Sequence, residues 1–253
     1  GAFPPAFGAP AAYGTPTTTL NIGDAVGYGW KKFSAAPVPF LLIGLIIGAV
    51  SGLVYLVGTG IFAGMLAAAS ASPTGEVNQG AVFAGLALFF VVMALGIFAA
   101  FVVNVGMQRA ALDTVRGRPV TVGSAFRTEN LGQYVLLYLL LVAAYVVVSI
   151  VLNFIPVLGS ILSFLLILAA GVLFFFAPYF ILDKGMSAID ALKASYAAAR
   201  ANLGQVVIVV LVTGLIAAAG GVLCGVGAFV TLPLALIASA YAYLMLQGEM
   251  PAA

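Results

Sequence analysis

Two amides, Asn104 and Gln108, stand out because they lie near the end of a long apolar run of the chain. They are four positions apart, so a helix would place both side chains on one face. Amides in a membrane helix can line a pore, lie at the headgroup boundary or hydrogen-bond to a neighbouring helix. The spacing leaves these roles open, and the last two are the more usual ones for such residues.

The sequence contains few residues that could carry acid–base catalysis or bind a metal. The chain has no histidine, the commonest proton shuttle and metal ligand. Its single cysteine, Cys224, has no second thiol and is interpreted as a small buried apolar residue. Asp183 and Asp190 could be imagined as paired acids, but both lie on a predicted solvated helix, where a structural role is expected. We therefore expect no catalytic residue, no cofactor and no metal.

The composition predicts an all-α protein that crosses a membrane several times. Hydrophobic residues make up 64% of the chain and charged residues only 6%, against about 25% in soluble domains. The apolar runs are long enough to cross a hydrocarbon core of about 30 Å as helices. The net charge is only +2, so nucleic acid is not an expected partner.

Six spans are predicted from the apolar runs. Four are expected at about 38–69, 81–107, 131–155 and 158–182, and the block 206–246 is expected to hold two more. One straight helix through that block would rise about 60 Å, twice the thickness of the core. The predicted turn within it is marked by Gly220, Gly221, Gly225 and Gly227. A five-span alternative would change only the side on which the C-terminus lies.

Two amphipathic surface helices are predicted, the first over residues 21–33 with Asn21 as its N-cap. One face of this helix would carry Ile22, Val26, Trp30 and Phe33. The second helix lies within 183–205, with Ser187 as N-cap and Gly204 as its stop. Its apolar stripe would consist of Ile189, Leu192, Tyr196 and Ala199. Such helices lie where water meets lipid.

A three-fold internal repeat is indicated by similar patches at 22–26, 122–126 and 188–192, and by Asn-Leu-Gly-Gln at both 130–133 and 202–205. We interpret the unit as a surface helix followed by a membrane hairpin, over about 21–110, 120–183 and 187–247. Polar residues at the junctions can bond free backbone groups. Interfacial anchoring is predicted for Trp30, Lys31, Lys32, Asn130, Gln133, Lys193, Arg200, Asn202 and Gln205.

Two further segments are candidates for packing or for partner contact. Gly44, Gly48 and Gly52 repeat every four residues, a spacing that lets a second helix approach closely. Residues 1–20 form a tail rich in proline, glycine and alanine, interpreted either as a disordered tether or as a partner-binding segment. Its aromatic residues are Phe3, Phe7 and Tyr13.

The segments 178–185, 191–196 and 200–202 carry a family resemblance. Their sequences are PYFILDKG, ALKASY and RAN. The chain here resembles the glycerophosphodiester phosphodiesterase membrane-domain-like proteins of bacteria, including actinobacterial members with proline- and glycine-rich N-terminal tails. The resemblance implies a multi-pass protein of the bacterial cytoplasmic membrane. It does not carry over the phosphodiesterase activity, which belongs to a separate soluble domain in some relatives.

The distribution of charge predicts the orientation. All nine basic residues fall in three places, the N-terminal anchor, the loop after the second span and the segment after the fourth. With six spans these places lie on one side, so the positive-inside rule predicts that both termini are cytoplasmic.

Two functions are considered at this level, of which the first is the predicted one and the second is the alternative. The first is a non-catalytic accessory or assembly subunit that packs against other integral membrane proteins, possible hosts being respiratory or envelope-building assemblies. The second is a passive transporter or lipid-handling protein with an uncharged cavity near Asn104, Gln108, Pro178 and Pro233. A cavity open to lipid favours the second function, and a tightly packed bundle favours the first.

Overall fold

The computed structural model describes residues 20–70, 79–152, 154–155, 157–222 and 226–253. Phe3, Phe7, Tyr13 and Cys224 therefore lie outside the described residues, as does the predicted tail apart from Leu20. Within the described ranges all regular structure is helical. The helices are α1 (Ile22–Ala35), α2 (Pro37–Ser70), α3 (Gln79–Val115), α4 (Val122–Ala125), α5 (Leu131–Leu152), α6 (Leu158–Leu173), α7 (Ala177–Lys184), α8 (Ala188–Ala201), α9 (Leu203–Val222) and α10 (Ala228–Leu246).

The predicted all-α class with six spans is confirmed. Among the described residues, six helical stretches are long and apolar enough to cross a membrane, α6 and α7 together forming the fourth. They form three hairpins, α2 with α3, α5 with α6–α7, and α9 with α10. A surface helix precedes each hairpin, although α4 is a single turn. The chain is thus an integral membrane protein, and its three-fold repeat stays a prediction.

Helix α10 is the centre of the bundle. It packs against α9 and contacts α1, α2 and α3, and among the six described spans it is the one whose apolar stretch is mostly buried. Phe229 of α10 lies against two of the three glycines predicted to pack: a Cβ on Gly44 would approach its ring to 2.8 Å, and one on Gly48 to 3.2 Å. Gly52 has no such neighbour within 4 Å.

The predicted helix starts are confirmed. The Asn21 side chain accepts a hydrogen bond from Gly23 N at 2.9 Å, and Ser187 Oγ accepts one from Asp190 N at 3.2 Å. The predicted stop at Gly204 is wrong. Helix α8 ends at Ala201 with Asn202 as its C-cap, and Gly204 lies inside α9.

Only part of each predicted apolar face packs inside the protein, since Phe33 and Ala199 are buried whereas other members of these faces are exposed. In α1 the buried residues are Ala25, Gly29 and Phe33, while Trp30 is 56% exposed. Helix α8 likewise buries alanines and exposes both Ile189 and Tyr196. Small residues let two helices approach closely, whereas large apolar side chains can be solvated by lipid.

Gly29 and Gly27 provide a matched test of this close packing. A Cβ on Gly29 would come within 3.0 Å of the Leu234 side chain and 3.2 Å of its carbonyl oxygen, whereas one on Gly27 meets nothing within 4 Å. We expect Gly29→Val to lower the free energy of unfolding by about 1–3 kcal/mol through overpacking. Gly27→Val should be neutral or slightly stabilising. Thermal unfolding in detergent measures both, and equal melting temperatures would contradict the contact between α1 and α10.

Candidate functional site

A cavity of about 1020 Å³ lies between the second and third hairpins and the inner part of α3. Its walls come from α3, α5, α6, α7, α9 and α10, and they are mainly apolar. Ligand pockets typically measure about 300–1,000 Å³, so this cavity is at the large end of that range. The space is therefore sufficient for a sizeable apolar ligand.

The polar end of the cavity is built around the two amides that the sequence singled out. Gln108 Nε2 donates to Asn104 Oδ1 at 3.1 Å, and the Tyr134 hydroxyl lies 3.4 Å from both Asn104 Oδ1 and the Tyr138 hydroxyl. Asn104, Gln108 and Tyr138 all line the cavity, joined by Tyr179 and Ser239 from other helices. The amides thus both line a cavity and bond to a neighbouring helix.

Part of this polar end has no protein partner. Gln108 is only 8% exposed, and its Oε1 has no hydrogen-bond partner among the described residues. Asn104, by contrast, is an exposed residue on the cavity wall, and within the described chain its Nδ2 donates no hydrogen bond. A buried polar group without a partner costs about 1–3 kcal/mol. The arrangement therefore leaves both an acceptor and a donor free for a ligand.

The other end of the cavity is open towards lipid. Val142 and Tyr145 of α5, Leu166 of α6 and Leu232 of α10 line the cavity and are exposed. Along α5 the lining runs from Tyr138 to Val148, a rise of about 15 Å. This is about half of the roughly 30 Å hydrocarbon thickness, so the cavity has the depth of one leaflet.

A break in the fourth span shapes one wall. Helix α6 ends at Leu173 and α7 starts at Ala177, and Pro178 occupies the first turn of α7, where its missing N–H is not needed. Ser195 of α8 is fully buried, and its hydroxyl forms hydrogen bonds with the backbone groups that the break leaves without helical partners. Its Oγ donates to Leu173 O at 2.9 Å and accepts from Phe176 N at 3.2 Å. The sequence analysis gave no role to Ser195.

At two glycines the wall of the cavity is formed by helix backbone without a side chain. Gly171 of α6 and Gly214 of α9 line the cavity, and a Cβ at either position would have no atom of the described chain within 4 Å. A side chain placed there would project into free space.

A charge cluster lies at the end of the bundle nearest the polar end of the cavity. We use this name for Asp113, Arg116, Arg118, Arg127 and Asp183. Both carboxylates are nearly fully buried, and they pair with guanidinium groups at 2.5 Å (Arg116–Asp183), 2.9 Å (Arg127–Asp113), 3.5 Å (Arg118–Asp183) and 3.6 Å (Arg118–Asp113). The hydrogen bond to Asp183 raises the pKa of Arg116 above its ordinary value.

This cluster corrects two expectations. Helix α3 continues to Val115, past the predicted end at Met107, so Arg109 and Asp113 belong to the helix and are buried. Asp183 is not on the solvated surface helix but on α7, which ends at the left-handed Gly185 before α8 begins. Asp190 is exposed and bonds to Ser187 at 2.7 Å, so the two aspartates form no pair.

The junction residues lie outside the cavity. Asn130 Nδ2 donates to Ile181 O at 3.4 Å, Gln133 Oε1 accepts from Ala188 N at 3.0 Å at the start of α8, and Asn202 Nδ2 donates to Ala198 O at 3.2 Å. Gln205 Oε1 is buried with no partner within the described ranges.

The basic anchoring residues divide into exposed and bonded ones. Lys31, Lys193 and Arg200 are exposed. Lys32 Nζ donates to Ala253 O at 2.5 Å and lies 5.4 Å from the centre of the Tyr28 ring.

Comparison with known proteins finds relatives in mycobacteria. The uncharacterized protein Rv2560 of Mycobacterium tuberculosis is 27% identical over 241 residues, which cover 90% of this chain and 69% of the relative. The uncharacterized protein Mb2590 of Mycobacterium bovis is 28% identical over the same shares. No family model and no solved structure matches the chain. The resemblance to glycerophosphodiester phosphodiesterase membrane-domain-like proteins therefore stays a prediction.

Proposed function

We propose that the protein is a lipid-handling membrane protein that takes the chain of a lipid from one leaflet into the cavity. One observation carries this proposal: the cavity of about 1020 Å³ is open at the depth of the hydrocarbon and closed around an uncharged polar end. Of the two functions left open by the sequence, this geometry favours lipid handling over a tightly packed accessory subunit.

Lateral entry from the bilayer follows from where the lining is exposed. The exposed lining residues of α5 and α6 would contact lipid chains in a membrane, and they continue inward to buried ones such as Met107 and Thr213. A chain could move along this wall without leaving an apolar environment. The described lining contains no carboxylate, amine, guanidinium or thiol, which supports passive binding without catalysis or ion coupling.

Retention of lipid by the purified protein tests the proposal. The full chain would be extracted from membranes in a mild detergent and examined by native mass spectrometry, followed by lipid extraction. We expect about one lipid of a defined class per chain to survive purification. A chain that carries no lipid, or only the bulk lipid mixture in proportion to its abundance, would contradict the proposal.

The assembly role stays a prediction. The outer parts of α2 and α3 expose many large apolar side chains, among them Tyr55, Leu56 and Phe90, and this surface suits either lipid or another membrane protein. A native pull-down of the full chain distinguishes the two, because defined co-purifying subunits would favour assembly.

We further propose that the protein lies in a bacterial cytoplasmic membrane with both termini in the cytoplasm. The motivation is the placement of all nine basic residues at one end of the bundle. In a Cys224→Ser background, Lys193→Cys should resist a membrane-impermeant thiol reagent in intact cells and react after permeabilisation. Phe154→Cys, at an exposed position of the opposite α5–α6 turn, should react in intact cells. The reverse pattern would overturn the orientation.

A further inference from the structure

We infer that the cavity selects a lipid with an uncharged, hydroxyl-bearing polar end over anionic phospholipids. This inference rests on the proposed function and names the ligand class of the same cavity. It comes from the free hydrogen-bonding groups at the polar end, from the pairing of the nearby charges, and from the depth at which the amides lie.

The free groups at the polar end match a hydroxyl. Asn104 Nδ2 is a donor and Gln108 Oε1 is an acceptor, both on one face of α3 and both without a protein partner among the described residues. A hydroxyl donates one hydrogen bond and accepts up to two, so it can satisfy both amides at once. The Tyr138 hydroxyl, also on the wall, offers a third contact.

An anionic headgroup finds no counter-charge in this cavity. No lysine or arginine is among its described lining residues. Arg109, the nearest arginine along α3, donates to the backbone carbonyl of Glu129, and Arg118 and Arg127 are paired with the buried Asp113. A phosphate moved towards these arginines would also approach the buried carboxylates of Asp113 and Asp183, whose negative charge opposes it.

Depth gives a further reason. Asn104 precedes Arg109 by five residues, which places it about 7–8 Å further into the bilayer along the helix. A hydroxyl that moves there gives up its hydrogen bonds to water, and the two amides replace most of them. A phosphate would have to leave the headgroup region and give up its water in an uncharged site, which is strongly unfavourable.

Three probes with one shared chain test the inference. Each carries the same hexadecyl chain with a mid-chain diazirine and a terminal alkyne, and they end in a hydroxyl, a phosphate monoester or a plain methyl group. The full chain in nanodiscs is photolabelled, the labelled peptides are mapped, and half-saturating concentrations are compared. We expect cavity labelling on α5, α6 or α9 with the alcohol at least about tenfold tighter than with the phosphate.

Variants of Asn104 then assign the preference to the polar end. Because this residue is exposed on the wall, Asn104→Leu should fold and should lose most of the advantage of the alcohol over the methyl-ended probe. Asn104→Lys adds a cation and should shift the preference towards the phosphate. Gln108→Leu is a second variant, expected to act in the same direction as Asn104→Leu.

The outcomes separate this inference from the proposed function. Equal half-saturation for alcohol and phosphate in the wild-type protein, with the label in the cavity, would overturn the headgroup inference and leave lipid binding intact. An unchanged alcohol preference in both Asn104→Leu and Gln108→Leu would also overturn it. If none of the probes labels cavity residues, the proposed function itself fails. Since the wild-type comparison stands alone, a variant that misfolds does not remove the test.

Discussion

Replacing Gly214 with leucine is expected to lower the affinity for the bound lipid about 100-fold while leaving the fold intact. Gly214 lines the cavity on α9, and a Cβ there meets no atom within 4 Å, so the new side chain enters free space. A leucine side chain would displace three to four methylene groups of a bound chain. At about 0.8 kcal/mol per methylene, this loss is about 3 kcal/mol, or about 100-fold in affinity.

Gly221 provides the matched control for this variant. It lies on the same helix, is exposed, and a Cβ there also meets no atom of the described residues within 4 Å, but it does not line the cavity. Gly221→Leu should therefore retain lipid at the wild-type level, while Gly171→Leu, at a lining position of α6, should lose it. Native mass spectrometry measures the amount of bound lipid per chain in all three variants. Wild-type retention by Gly214→Leu would show that the lipid binds elsewhere.

The spans could be predicted because the bilayer imposes their length. Apolar runs long enough to cross about 30 Å admit few alternatives, and the six spans and the caps at Asn21 and Ser187 agree with the structure. Helix ends inside protein are not constrained in this way. The extension of α3 to Val115 is an example, since Arg109 and Asp113 look like loop residues until their partners are known.

The packing faces could not be predicted from large apolar residues. In water such residues mark the core, but lipid solvates them as well as protein does, so Ile189 and Tyr196 face outward while alanines pack. A search for small residues at helical spacing would have found the buried faces of α1 and α8. The glycine pattern around Gly44 and Gly48 uses that signal, and Phe229 packs there.

The candidate site was predictable only in part. An amide pair inside an apolar run is unusual, which is why Asn104 and Gln108 could be singled out. Tyr134, which bonds to Asn104, and its neighbour Tyr138 belong to another helix, and their sequence shows no link to α3. Because no sequence spacing links α3 to α5, the size and opening of the cavity needed the structure.

Neutralising Asp183 is expected to destabilise the protein strongly without emptying the cavity. Its carboxylate is only 3% exposed, accepts from Arg116, and lies 3.3 Å from the Tyr243 hydroxyl of α10. In Asp183→Asn one of these acceptors becomes an amide N–H₂ facing guanidinium donors. Breaking a buried ion pair costs about 3–5 kcal/mol. Since the side chains of Arg116 and Arg118 are 27% and 49% exposed, we expect about 2–3 kcal/mol.

This loss corresponds to a decrease of about 5–10 °C in melting temperature for a chain of this size. Asp24→Asn, an exposed aspartate in the first turn of α1, is the control and should change stability by less than about 0.5 kcal/mol. A melting temperature for Asp183→Asn within about 1 °C of the wild type would mean that the charge cluster does not hold α3, α7 and α10 together.

Measured together, Asp183→Asn and Gly214→Leu separate stability from binding. Asp183 is not among the residues that line the cavity, so below its melting temperature Asp183→Asn should keep its lipid. Gly214→Leu should lose the lipid, and its melting temperature should fall only by what the bound lipid contributed, since a ligand stabilises the state that binds it. If Asp183→Asn also released the lipid while still folded, the charge cluster would belong to the binding site and the cavity would extend to the headgroup region.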